Sequence, residues 1–320
     1  MTRITHIVHQ SIMSELVRMQ HTLAKPAVVE GFGFWSGQDI RVEFHPAKAS
    51  TGVMFIRVDL PDHPVIPVSP DYHFLKPRQT SLIVGDAQVN MIEHVTAALF
   101  GLQIDNCEIR VNGPEMPGID GSSQSFVAAL LKSGIITQTA TRPKRVVYKN
   151  IRVGNEKSWI EARPSYNGET KFIYHLDYGD DNPIQRQSYR FVFSPEHFIL
   201  HLMSCRTFLT KAEADQLLAM GLCSRVSPNH VLVFDENQQP IDNVLLFPDE
   251  CARHKVLDML GDFSLGGCDW VGEFVAYRSG HHLNVECVRE LLKKTVYLES
   301  NMVETHASTT FKAKTKVGTG

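Results

Sequence analysis

Apolar and polar positions follow two different rhythms along this chain. Short apolar-rich stretches, AVVEGF, IRVEFHPA and VMFIRVDL, are punctuated by Gly, Pro and Asp, and predict strands of a mostly antiparallel sheet. MIEHVTAALFGL, residues 91–102, then changes to helical spacing. A strand, NCEIRVN, and a loop, GPEMPGIDGSS, lead to a second predicted helix at 124–135. TATRPKRVV, near 139–147, is polar, contains a proline and reads as a linker. The second half repeats the plan. Strands VVYKNIRVG, WIEARPSY, KFIYHLDYG and SYRFVFS come early, and helices follow near 195–204, 211–220, 250–262 and 284–295. The halves share this order but no sequence repeat. The expectation is an α+β fold with its layers packed face to face. Its parts are an extension at 1–18, a first domain at 19–143, a second at 144–298 and a polar, disordered tail at 299–320.

Composition narrows the class. The 320 residues are 43% hydrophobic and 21% charged, with a formal net charge of −3, which gives no reason to expect a nucleic-acid partner. The six cysteines are scattered without a CxxC pair, which argues against a zinc ribbon and for free thiols in a reducing compartment. No apolar run approaches the about 18 residues of a spanning helix. The first residues lack the apolar core of a secretory signal. A cytoplasmic enzyme or binding protein is expected.

Four polar clusters carry candidate chemistry. In RHKVLDMLGD, His254, Asp258 and Asp262 recur every four residues, so they share one helical stripe with about 5–6 Å between neighbours. An imidazole and a carboxylate so spaced can grip zinc or iron(II). Asp262 can orient a histidine from elsewhere. Glu93 and His94 are adjacent on the first helix and point about 100° apart, which suits a metal ligand beside a carboxylate that handles a proton. His281 and His282, in SGHHLN, are expected on a tight turn ahead of a helix. Thr207, in CRTF, matters only if its hydroxyl meets a developing oxyanion. Each cluster also has an ordinary reading: a solvated helix start, a His–Asp hydrogen bond, two surface histidines, an unremarkable threonine. Together they supply three ligands (His94, His254, Asp258), a base (Glu93), a second proton handler or cation (His281) and a positive charge beside the site (Lys255), which is a metallohydrolase set.

The order and wording of six segments add a resemblance. HTLAKPAVVEGFGFWSGQDIRVEFHPAKASTGVMFIRVDL, MIEHVTAALFGLQIDN, NGPEMPGIDGSSQSF, SCRTF, RHKVLDMLGD and AYRSGHHLN resemble the UDP-3-O-acyl-N-acetylglucosamine deacetylase (LpxC) family of lipid A biosynthesis, over roughly residues 19–298. The resemblance implies two domains, each a sheet with two helices, with the helix layers sandwiched between the sheets and the active site between the domains. It implies one Zn²⁺ per chain (or Fe²⁺) on His94, His254 and Asp258, and hydrolysis of the N-acetyl group of UDP-3-O-(3-hydroxyacyl)-N-acetylglucosamine to the free amine and acetate. Glu93 would be the general base toward water, and Thr207 would hold the oxyanion. His281, oriented by Asp262, would serve the departing amine, and Lys255 would contact substrate. An apolar passage for the acyl chain would follow the Arg-Thr-Phe segment, with Leu222, Cys223, Val231 and Val233 as wall candidates and Phe208 beside substrate. Arg278 and Lys255 are candidates for the diphosphate. A monomer is expected, with at most transient contact with the inner membrane. The chain departs from the family where Arg225-Val226 replaces Gly-Gly, where Asn182 precedes Pro183, and where QVNM precedes the first helix. Two other readings are a zinc amidohydrolase for a different N-acyl sugar and a non-catalytic sugar-nucleotide or lipid binder. The complete proton-transfer set argues against the binder.

Overall fold

The computed structural model describes residues 17–298; residues 1–16 of the expected extension and the expected tail at 299–320 lie outside the described residues. The first half runs β1 (Met19–Leu23), β2 (Ala27–Phe32), β3 (Asp39–Pro46), β4 (Val53–Arg57), β5 (Val65–Pro67), β6 (Ser81–Val84), β7 (Ala87–Asn90), α1 (Glu93–Gly101), β8 (Cys107–Val111), α2 (Gln124–Ser133) and β9 (Ile135–Thr141). The second runs β10 (Lys144–Val146), β11 (Ile151–Gly154), β12 (Trp159–Arg163), β13 (Thr170–Leu176), β14 (Gln187–Val192), α3 (Pro195–His201), β15 (Phe208–Thr210), α4 (Lys211–Ala219), β16 (Leu232–Phe234), α5 (Glu250–Phe263), β17 (Asp269–Tyr277), α6 (His281–Lys294) and β18 (Val296–Leu298). The fold is α+β and its sheets are mostly antiparallel, as the sequence predicts.

A five-stranded sheet, β2-β3-β8-β4-β5, forms the first half, and a seven-stranded sheet centred on β17 forms the second. Three small two-stranded sheets pair β1 with β9, β6 with β7, and β15 with β16. Helix α2 packs on β2, α5 on β13 and α6 on β11, while α1 lies directly against α5. The helices therefore fill the space between the two large sheets. Every residue of α1 is buried, as are twelve of the fourteen in α5, because each helix meets protein on all sides. Under α5 the rings of Phe172, Phe263 and Phe274 meet with centroids 5.0–5.3 Å apart.

Three expectations change. The predicted linker at 139–147 is largely strand: Thr141 pairs with Met19, and Lys144–Val146 lies between β17 and β18. Its polarity reflects short edge and junction strands rather than solvent. His281 and His282 are the first two residues of α6, not a turn ahead of it, because Gly280 is the helix cap. Arg18, placed with the extension, binds both halves: its guanidinium lies 2.6 Å from Asp105 and 2.9 Å from Asp269. All six cysteines are free and buried. Among the described residues, no helix is long and apolar enough to cross a membrane.

Candidate metal centre and active site

A cavity of about 580 Å³ opens between the two halves where α1, α5 and the start of α6 converge. His94 stands on α1, and His254 and Asp258 stand one turn apart on α5. Their ligand atoms all lie within 4.8 Å of one another. Asp258 Oδ1 is 3.4 Å from His254 Nε2 and 3.6 Å from His94 Nε2. His254 directs Nδ1 at the Cys205 carbonyl, 3.0 Å away. Donation there leaves the Nε2 lone pair facing the other two groups. Burial depresses His254 to about 4 against the pull of Asp258. Asp258 is held well below the usual carboxylate range: burial opposes this, but His254, Lys255 and His281 outweigh it. At neutral pH the pair is therefore a neutral imidazole and an anion, the forms that donate to a cation. Asp258 Oδ1 is buried with no hydrogen-bond partner. An orphaned carboxylate oxygen between two imidazole nitrogens is a poor structural feature and a good cation site. The residues present fit a divalent metal.

Proton-handling groups flank this trio. Glu93 is buried and accepts a 2.9 Å hydrogen bond from the Thr80 amide; burial raises its carboxyl against the opposing charges of His281 and His94. On the other side His281 Nδ1 lies 3.1 Å from Asp262 and Nε2 lies 3.9 Å from Asp258. Burial disfavours its charge, but Asp262, Glu93 and Asp258 outweigh that and bring His281 to about 9. Asp262 is fully buried and accepts also from Asn284, at 2.7 Å, and from the Thr80 hydroxyl. The Thr207 hydroxyl donates to the Gly121 carbonyl at 3.0 Å and lies 3.3 Å from His254 Nε2. Its position is set by the preceding Arg206, whose guanidinium is clamped by fully buried Glu250 at 2.8 and 3.0 Å.

The profile of the family described as UDP-3-O-acyl N-acetylglycosamine deacetylase (LpxC) matches residues 20–293. A UDP-3-O-acyl-N-acetylglucosamine deacetylase of Psychrobacter cryohalolentis is 35% identical over 284 residues, 88% of each chain. One of Brucella melitensis is 34% identical over 281 residues, 88% of this chain and 97% of that one. The chain belongs to the LpxC deacetylase family. It is accordingly a hydrolytic enzyme, and the buried His94–His254–Asp258 cluster suggests a metal site in it.

The other predicted site residues are distributed as follows in this LpxC-family fold. Phe208 lines the cavity, its ring 5.9 Å from that of His254. Lys255 also lines it, with Nζ 2.6 Å from Asp258 Oδ2. Arg278 is not among the lining residues; its guanidinium is held 2.7 Å from Asp177. A second cavity of about 190 Å³ is mainly apolar and takes in Cys223, Val231 and Val233, together with Val226 and Ile241. Leu222 packs against this cluster without lining the cavity. Phe34, Leu209 and Leu217 line both cavities, so the apolar space adjoins the polar one. Sequence reasoning missed Lys76 and Arg78, the other Lys and Arg side chains lining the main cavity. It also missed Thr80 and Asn284. A Lys-Pro-Arg run in a loop was the available signal for the first two; nothing local marks Thr80.

Proposed function

We propose that this protein is the zinc-dependent hydrolase that removes the N-acetyl group of UDP-3-O-(3-hydroxyacyl)-N-acetylglucosamine, giving the free amine and acetate, an early step of lipid A biosynthesis. The observation that carries this reading is the orphaned Asp258 Oδ1 facing two imidazole nitrogens, with Glu93 and His281 on either side. His94, His254 and Asp258 hold Zn²⁺, or Fe²⁺. The ion supplies Lewis-acid polarisation of the amide carbonyl and acidifies water. Glu93, with its carboxyl desolvated and aimed by the Thr80 amide, accepts the proton of the attacking water. Thr207 turns its hydroxyl from the Gly121 carbonyl to the oxygen of the tetrahedral intermediate. His281, kept cationic by Asp262, donates to the departing nitrogen, which leaves poorly unless protonated.

The rest of the substrate has matching surfaces. The acyl chain extends past Phe34, Leu209 and Leu217 into the apolar cavity walled by Cys223, Val231 and Val233. Lys76 and Arg78 are better placed than Arg278 for the diphosphate, because both line the main cavity and Arg278 does not; Arg78 would exchange its present partner, Glu213 at 2.9 Å, for phosphate. On this reading the enzyme works in the cytoplasm as a monomer, touching the inner membrane transiently to collect its lipid substrate.

Purified protein tests the reading in one assay: metal content, then acetate release from the acylated UDP-sugar with and without a chelator. One metal per chain and chelator-sensitive release are expected. Glu93→Gln should retain the metal and lose about 10²–10⁴-fold in kcat, since it removes a base and no ligand. Absence of acetate release from the metal-loaded parent would refute the assignment. Metal loss in Glu93→Gln equal to that of His254→Ala would remove Glu93 from the role of base.

A further inference from the structure

One side chain outside the expected set joins the two arms of the site. Thr80 lies in the loop just ahead of β6 and is fully buried. Its amide donates to Glu93 Oε2 at 2.9 Å. Its hydroxyl donates to Asp262 Oδ1, across 182 positions of sequence. Its carbonyl accepts from the Ile92 amide at 3.3 Å, at the entry to α1. Three polar groups of one residue are thus spent on α1, on Glu93 and on the carboxylate that holds His281.

The remaining contacts of Asp262 show why this matters. Oδ2 is shared by His281 Nδ1 at 3.1 Å and Asn284 Nδ2 at 2.7 Å, both from α6. Asn284 is fixed in turn by Ser279 at 3.1 Å. Oδ1 has Thr80 as its only hydrogen-bond partner among the described residues. A carboxylate held at one oxygen can still rotate about its Cβ–Cγ bond. Held at both, it presents Oδ2 to His281 in one orientation. A buried carboxylate with an oxygen left bare would also turn toward other donors, at a cost larger than one hydrogen bond.

We infer that Thr80 is a positioning residue for deacetylation: its amide aims Glu93 and its hydroxyl locks Asp262, so that Glu93 and His281 are held in register across the junction of the two halves. This rests on the proposed deacetylase reading and adds a residue to it. Thr80 is not among the residues lining the main cavity and is not one of the three candidate ligands, so its effect belongs to the chemical step. Misplacing a proton donor or acceptor slows turnover without weakening the binding of a distant acyl chain or nucleotide.

A graded series at this position provides the test. Thr80→Ser keeps the hydroxyl, Thr80→Cys substitutes a weak donor, and Thr80→Val keeps the shape with no donor. All three retain the amide that serves Glu93. The expected result is that kcat falls in the order Ser, Cys, Val, reaching about ten- to hundredfold in Val, with KM within about twofold and metal content unchanged. A spectroscopic readout accompanies it: the downfield proton signal of His281 Nδ1, assigned by its loss in His281→Gln, should move in Val and return in Ser. The inference is overturned by a Val variant with parental kcat and an unmoved signal, by equal losses in Ser and Val, or by an effect confined to KM. A parent protein that released no acetate would instead overturn the functional reading, while the proton signal across the series would still decide whether Thr80 holds the Asp262–His281 pair.

Discussion

Asp177 illustrates how much one carboxylate can organise at the edge of the site. It accepts from the Gly179 amide at 2.8 Å and from Tyr277 at 2.9 Å, and it pairs with Arg278 at 2.7 Å and Arg186 at 3.2 Å. The Gly179 amide, then Arg278, Tyr277 and Arg186, hold its carboxyl well below the usual range against the opposing effect of burial. A depressed folded pKa contributes stability that is complete above the unfolded value of about 3.9 and is lost as pH falls through the folded value. Asp177→Asn should therefore be less stable than the parent at neutral pH, and the difference should shrink below about pH 4. Urea denaturation at both pH values reads this directly; a pH-independent difference would mean that geometry, not charge, is what the aspartate supplies. At this scale the sequence speaks unevenly. His254 and Asp258 stand out because one helix brings them together at a fixed spacing. Thr80 does not stand out, because its partner Asp262 is remote in sequence and a threonine in a loop has no pattern. Arg278 looked like a free cation only because Asp177, 101 positions earlier, is invisible to local reading.

Between elements, the decisive contact is the crossing of α1 and α5. A Cβ at Gly261 would run into the Glu93 carbonyl oxygen and lie 3.0 Å from Glu93 Cα, so only glycine lets the helix carrying Glu93 and His94 approach the helix carrying His254 and Asp258 this closely. Alanine in a helix interior ordinarily stabilises relative to glycine by about 1 kcal/mol. Here the clash should reverse the sign, so Gly261→Ala should cost about 1–3 kcal/mol and weaken metal retention together, measured by thermal unfolding and by competition with a chelator. Unchanged retention would show that the helices can part without disturbing the ligands. Arg225 acts at another junction. It donates to the Gly37 carbonyl and pairs with Asp39, both at 2.7 Å, and stacks 4.3 Å over Phe32, tying the segment beside the apolar cavity to the β2–β3 turn. Being half-exposed, it should contribute less than about 1 kcal/mol to stability. Arg225→Gly should nonetheless broaden acyl selectivity, flattening the kcat/KM ratio between long and short acyl substrates; an unchanged ratio would separate this tether from the passage. Helices α1 and α5 were legible from their spacing. The central strand β17 was not among the expected strands, because it is largely buried on both faces and shows no alternation. The short pairs β6–β7 and β15–β16 have too few residues to carry a periodicity.

Across the whole molecule, two of the features that bridge the halves can be weighed against each other. One is the candidate metal centre, with His94 from the first half and His254 and Asp258 from the second. The other is an ion cluster in which Arg18 meets Asp105 and Asp269, and Arg142 lies 3.0 Å from Asp105 and 3.5 Å from Asp269. Asp105 is almost fully buried, and besides these two guanidiniums it accepts from the His21 amide at 2.8 Å. Removing one partner of such a set leaves carboxylates short of donors in a poorly solvated place, which costs more than the pair contributes when intact. Arg142 remains to share the load, so Arg18→Ala should lose about 2–3 kcal/mol rather than the full cost of an orphaned buried ion. The cluster touches no lining residue of the main cavity, and so the ligand trio should keep its metal at low temperature. Inactivation on heating should come earlier than in the parent, with metal release following the same midpoint, because the halves separate as the chain unfolds. Calorimetry alongside metal release provides the measurement. A parental unfolding midpoint would mean that Arg18 merely decorates the junction; metal lost well before unfolding would mean that the cluster governs the site itself rather than the joint that carries it.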